Sequence, residues 1–157
     1  MKREKAIKIF NMLKAGCPSL MLAGSVLREK EDGINNLGLI FIGKVFPMHL
    51  FPVGDMESLP KVTGFDILEF KYQGEQIHIH RTDKDKIGAM LLHLTGPKEY
   101  SIYTRSIAKR KGLKLNKHGL FQGSKCLASR TEKEILEKLG LKVISPVERN
   151  KFRSIRM

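Results

Sequence analysis

Two helical patterns meet at a forced break, and that break limits the folds open to this sequence. Asp83 to Leu94 carries apolar residues at Ile87, Met90, Leu91 and Leu94, the spacing that lines one face of a helix. Thr95-Gly96-Pro97 interrupts the pattern with a conformationally free glycine and a proline whose φ is locked. From Lys98 the helical pattern resumes and stops at Lys109-Arg110-Lys111-Gly112, with glycine where a helix C-terminus favours it. The chain must turn a corner here. Upstream, Ile77-His78-Ile79-His80 alternates apolar and polar, so a half-buried strand leads into the first helix. Strand, helix, corner, helix and basic turn predict an α+β fold.

The remaining elements extend this picture. Residues 3–15 place Ala6, Ile7, Ile9, Phe10, Leu13 and Ala15 among lysines, an amphipathic helix ended by Gly16-Cys17-Pro18. Leu20 to Ala23 reads as a buried strand leading into Gly24-Ser25, and Leu37 to Ile42 as the next strand. Pro47, Pro52, Gly54 and Pro60 punctuate the following stretch, which has room for one short helix near Met48–Phe51. Phe65–Tyr72 and Gln76–His80 flank Gln73-Gly74-Glu75 as a β-hairpin whose register the pattern leaves open. The second half predicts helices over 84–94 and 98–111 and strands near 113–115 and 119–122. A helix follows over 132–139, with Thr131 as its N-cap.

Charge separates the two halves. Of a net +13, residues 98–157 hold 16 Lys/Arg against 5 Asp/Glu, while residues 1–97 hold 13 against 11. Such asymmetry points to a polyanion-binding part joined to a near-neutral one. Cys17 and Cys126 have neither zinc-type nor redox-motif spacing and read as reduced thiols. No run approaches 18 apolar residues, and the first residues lack a signal-peptide pattern. The expected location is intracellular, neither secreted nor in a membrane.

The order His93-Leu94-Thr95-Gly96-Pro97, Lys98-Glu99-Tyr100 and Arg105 carries a resemblance. It continues through Lys111-Gly112-Leu113-Lys114-Leu115-Asn116, Gly119-Leu120-Phe121, Thr131-Glu132-Lys133-Glu134-Ile135, Leu139-Gly140-Leu141 and Pro146-Val147-Glu148-Arg149. With Gly24-Ser25 upstream, this series resembles the X-family DNA polymerases, the group of polymerase beta, in the minimal palm–thumb form of small viral repair polymerases. The resemblance implies a nucleotidyltransferase palm over 1–94, a small mixed sheet backed by helices. A small basic α/β thumb would follow over 95–157.

It also implies a site. Family members hold two divalent cations with an Asp-x-Asp pair on one palm strand and a third aspartate on a neighbouring strand. Residues i and i+2 share a strand face, so both reach one metal pair. At the matching positions this sequence has Asn36 and Gly38, with one residue inserted in the preceding loop, and His78. None is a carboxylate, and a neutral imidazole suits zinc or copper better than Mg²⁺. The expectation is therefore no metal and no cofactor. Gly24, Ser25, Arg28, His93, Thr95 and Gly96 match nucleotide-contacting positions, although Leu27 stands where many relatives have arginine and Leu94 where they have an aromatic residue. Lys98, Arg105, Lys109, Arg110, Lys111, Lys114, Asn116 and Lys117 form the DNA-facing set. A simpler reading of Lys109–Lys111 is a helix C-terminus complemented by its dipole. The primary expectation is a catalytically degenerate, DNA-binding protein. An active gap-filling polymerase using Mg²⁺ or Mn²⁺ on displaced ligands (Asp32, Asp66, Glu69) is the alternative. A module binding a protein partner through the palm is a further one. His78 and His80 share a strand face, and with His93 they offer a weaker transition-metal reading.

Overall fold

The structure, a computed structural model, describes residues 1–29, 34–47, 61–64 and 66–154. Expectations for Met48–Phe51, Phe65, Glu31 and Asp32 fall outside those residues. The chain forms two compact units, Met1–Asp83 and Lys84–Met157.

In the first unit, helix α1 (Arg3–Gly16) precedes strands β1 (Leu20–Ala23), β2 (Leu37–Ile42), β3 (Lys61–Thr63), β4 (Ile67–Tyr72) and β5 (Glu75–Thr82). They form one mixed sheet in the order β1-β2-β5-β4-β3, with β2 and β5 parallel and the other pairs antiparallel. The i, i+3, i+4, i+7 spacing of Ala6, Ile9, Phe10 and Leu13 gives α1 one apolar stripe. That stripe joins Leu37, Leu39, Phe41, Leu68, Phe70, Tyr72, Ile77 and Ile79 in a single core. Each fully buried Ile, Leu or Phe there contributes about 1.5–3 kcal/mol relative to exposure. Burial of Leu68, Phe70 and Tyr72 resolves the hairpin's register: Ile67 and Glu69 project to the other face.

In the second unit, helices α2 (Ile87–Thr95) and α3 (Lys98–Arg110) flank the predicted corner. Strands β6 (Lys114–Asn116), β7 (Gly119–Gln122) and β8 (Lys125–Ala128) follow as an antiparallel sheet, then helix α4 (Glu132–Lys138) and a 3-10 segment Glu148–Ser154. Ala89, Leu92, Tyr100, Ala108, Leu120, Ile135, Leu136 and Leu139 form its core. Lysine-rich turns close the helices as read: Gly112 adopts φ 70°, and the Thr131 hydroxyl accepts from the Glu134 amide at 3.0 Å.

A close interlock fixes α2. The Gly88 and Ala89 amides donate to the Arg130 and Ser129 carbonyls, both at 3.0 Å. A Cβ at Gly88 would lie 2.3 Å from Thr131 Cα. Two strands were not anticipated. Lys61–Thr63 is only three residues long, and β8 has too little alternation to register as a strand without its partner β7.

Candidate functional site

Sheet register assembles the site in the first unit. Gly38 on β2 pairs with His78 on β5, with Ala23 on β1 and Glu69 on β4 completing the row. Cross-strand partners project to the same face, so Gly38, His78 and Glu69 share one patch. Asn36 lies two residues before Gly38, in the bend ahead of β2. Gly38 and His78, 40 residues apart in sequence, are thus neighbours, because two parallel strands bring them into register. The patch also lacks room at one point: a Cβ on Gly38 would stand 3.3 Å from the Ala23 carbonyl oxygen.

The other carboxylates are used elsewhere. Arg81 donates from Nε and Nη2 to Asp66 Oδ1 at 3.3 and 3.1 Å, and from Nη1 to the Gly43 carbonyl at 2.8 Å. Asp83 Oδ1 lies 3.4 Å from the same guanidinium. Asp66 and Glu69 are three residues apart, an odd number, so along a strand they point to opposite faces. Glu29 pairs with Arg28 at 3.5 Å. Among the described residues no group of three His, Cys, Asp or Glu side chains is placed to hold a metal ion. Glu69 is the one carboxylate on the row of Gly38 and His78, and a single carboxylate does not fit a pair of hard divalent cations.

Gly24 and Ser25 open a 3-10 turn, Gly24–Leu27, directly after β1. Gly24 takes φ 79°, open to glycine, and the Ser25 carbonyl accepts the Arg28 and Glu29 amides, both at 2.9 Å. The Arg28 side chain is largely buried against its neighbours. Thus Gly24, Ser25 and Arg28 form one local turn in the first unit. His93, Thr95 and Gly96 belong to the second, at the end of α2, where Thr95 is buried and Gly96 takes φ 62°.

The second unit joins residues expected to act separately. Helix α3 buries Tyr100, Thr104 and Ala108, a strip at i, i+4, i+8, which leaves Arg105, Lys109 and Arg110 exposed. Arg105 Nη2 lies 2.8 Å from His93 Nδ1. His93 comes from the nucleotide-side set and Arg105 from the DNA-side set, yet they form one pair. Asn116 and Lys117 stand beside it on the β6–β7 turn, where Asn116 Oδ1 accepts the His118 amide at 2.8 Å. Partial loss of hydration, then the charges of Arg105, Lys117 and His118, hold the His93 imidazole below its ordinary value of 6.5. Neutral His93 is therefore the acceptor and Arg105 the donor. Lys111 and Lys114 are exposed next to this cluster in sequence. Lys98 begins α3, about 16 Å along the helix axis from Lys109, and is separate from the basic end.

Arg149 escaped the sequence reading, which placed it only in a closing tail. It is 1% exposed, donates from Nη1 to Glu132 Oε2 at 2.8 Å, and lies 5.1 Å from the Tyr100 ring centre. Ser145 and Glu148 exchange two bonds at 3.2 and 3.3 Å and set the turn that brings Arg149 inward. The S-x-x-E spacing was the available signal.

Residues 90–150 match the family described as DNA polymerase beta thumb. Repair DNA polymerase X of African swine fever virus (isolate Tick/South Africa/Pretoriuskop) is 29% identical over 149 residues, covering 88% of this chain and 85% of the viral protein. This is an X-family polymerase-like chain. DNA polymerase IV of Saccharomyces cerevisiae is 46% identical over 66 residues, 42% of this chain. The match spans only 11% of that longer protein. Leishmania infantum polymerase beta, solved as a ternary P/T complex, superposes with a TM-score of 0.78 over 95% of this chain and 76% of its own, at 17% identity. That likeness shows the fold: a palm-like sheet with helices, and a thumb. Among the described residues no helix is long and apolar enough to cross a membrane.

Proposed function

We propose that this chain is a catalytically degenerate X-family polymerase-like protein that binds gapped, nicked or duplex DNA through its second unit and acts as a binding or regulatory factor. One observation carries the reading: Gly38 and His78, the positions matching metal-binding aspartates, stand side by side on β2 and β5 without a carboxylate between them. Their pairing is the juxtaposition a shared metal pair would need, which supports the alignment as well as the loss. Asp66, engaged by Arg81, and Glu69, a single carboxylate on the row of Gly38 and His78, do not replace the missing pair. The basic end of α3 and the turn after it favour phosphate contacts of low sequence preference.

Primer extension on a one-nucleotide-gapped duplex, with Mg²⁺ and with Mn²⁺, beside a binding titration of the same DNA, tests this. The expected result is affinity that falls with salt, and no extension. Nucleotide incorporation in either metal would overturn the degenerate reading and direct attention to Glu69. Absent or salt-independent binding would overturn the DNA reading and favour a protein partner held by the palm.

A further inference from the structure

The C-terminal ends of α3 and α4 lie side by side: Lys111 Nζ stands 3.7 Å from the point a Cβ on Gly140 would occupy. Both ends are built the same way. The Gly112 and Leu113 amides donate to the Lys109 and Ala108 carbonyls at 3.0 and 2.9 Å. The Gly140 and Leu141 amides donate to the Glu137 and Leu136 carbonyls, again at 3.0 and 2.9 Å. Backbone amides thus already hold these carbonyls, and no lysine is needed to cap them. Around them Lys109, Arg110 and Lys111 from α3, and Lys138 and Lys142 from the end of α4 and the residues after it, are all exposed.

Helix dipoles account for only part of that charge. Each C-terminus carries about half a negative charge, roughly one for the two ends, against five cations. The carboxylates close by in sequence do not cancel the rest. Glu137 lies 3.9 Å from Lys133, and Glu148 stands in the field of both Lys142 and Lys151. Among the described ion pairs none includes any of the five. A cationic surface whose helix ends are already satisfied suits an external polyanion.

We propose that Lys138 and Lys142 join Lys111 in a phosphate-contacting surface at this shared helix end, which holds the backbone of the duplex beside a gap or nick. The inference rests on the DNA-binding reading and deepens it by adding α4 to the footprint. Local sequence pattern singles out Lys111 but gives no such role to Lys138 or Lys142. Packing brings them there: Ile135, Leu136 and Leu139 share one core with Ala108 of α3, so the two helix ends meet. Duplex DNA carries a phosphate charge about every 1.7 Å of its axis, so cations from two helices can meet separate phosphates. Such contacts add affinity and fix orientation without reading bases.

The test is a fluorescence-anisotropy titration of the whole chain with a one-nucleotide-gapped duplex across a series of KCl concentrations. It compares the wild type, the double variant Lys138→Gln with Lys142→Gln, and Lys133→Gln, an exposed lysine of the same helix that lies beside Glu137. The double variant is expected to bind about 20-fold more weakly at low salt and to reduce the log–log salt slope by about 2. Lys133→Gln should stay within about twofold of the wild type. Equal losses from Lys133→Gln would make general net charge responsible and overturn the proposal. An unchanged slope in the double variant, with a lowered midpoint of denaturant unfolding, would assign the lysines to the helix ends and also overturn it. A parallel arm uses linear polyphosphate. If the wild type fails to bind duplex yet binds polyphosphate with the same dependence on Lys138 and Lys142, the DNA reading falls and the surface stands. If neither is bound, the surface falls as well.

Discussion

In residues 1–83 the 11 Lys/Arg are nearly balanced by 10 Asp/Glu, and pairing there is internal: Arg81 with Asp66 and Asp83, Arg28 with Glu29, Lys5 with Glu75. In residues 84–157, 18 Lys/Arg face 6 Asp/Glu, and the described ion pairs are Arg149–Glu132 and Lys133–Glu137. The first unit spends its charges on its own sheet edges and turns, while the second leaves a cationic surface at the end of α3. A polymerase fold needs anionic side chains in the palm and cationic ones in the thumb. This chain has the cationic side chains in its second unit, while Asn36, Gly38 and His78 in its first carry no carboxylate.

Gly88 offers the most severe way to break the comparison. Gly88→Ala drives a methyl group against the Thr131 backbone and forces apart the two backbone hydrogen bonds that hold α2, at a cost of about 3 kcal/mol. Hydrogen exchange should accelerate in α2 and α4 and stay slow in β2 and β5. Equal acceleration everywhere would show that the units unfold as one body.

Charge removal sharpens it next. Lys109→Gln, Lys111→Gln and Lys114→Gln together should weaken binding to gapped duplex by about 100-fold at low salt and reduce the log–log salt slope by about 3. Lys8→Gln with Lys14→Gln, on exposed positions of α1, should change affinity by less than about threefold. Comparable losses from both sets would make the net charge, rather than the second unit, responsible.

Two smaller effects address single contacts. Thr131→Ala removes the cap on the Glu134 amide and should cost about 1 kcal/mol in denaturant unfolding, with Thr131→Ser recovering most of it. Asp66→Asn leaves Arg81 a weaker acceptor in a half-exposed setting and should cost about 0.5–1 kcal/mol. If Asp66 served a metal instead, the same change would abolish metal-dependent extension, a readout that a structural pair would not move.

Helix boundaries were legible to within a few residues because their determinants are local. The apolar stripe of α1, the Thr131 cap, Gly112 and the Thr95-Gly96-Pro97 corner each act within one turn of chain. That Asn36, Gly38 and His78 carry no carboxylate was legible too, since these are identities. Their adjacency was not. It depends on β2 and β5 pairing in parallel across more than 30 residues of intervening chain, a register no local pattern encodes. The same limit hid β3 and β8, short strands defined by their partners. It also divided His93 and Arg105 between two functional sets, because the 12 residues separating them include the corner that folds α3 back beside α2.

Sequence alone determined most of the element types, the charge asymmetry and the absence of a carboxylate at Asn36, Gly38 and His78, since these follow from residue identity and near-neighbour spacing. Tertiary structure decided which polar groups are already engaged: Asp66 by Arg81, Glu132 by a buried Arg149, and Arg105 by a neutral His93. Burial and register set those partnerships by bringing distant groups within 3 Å or so and removing water from between them, and both properties belong to the folded chain.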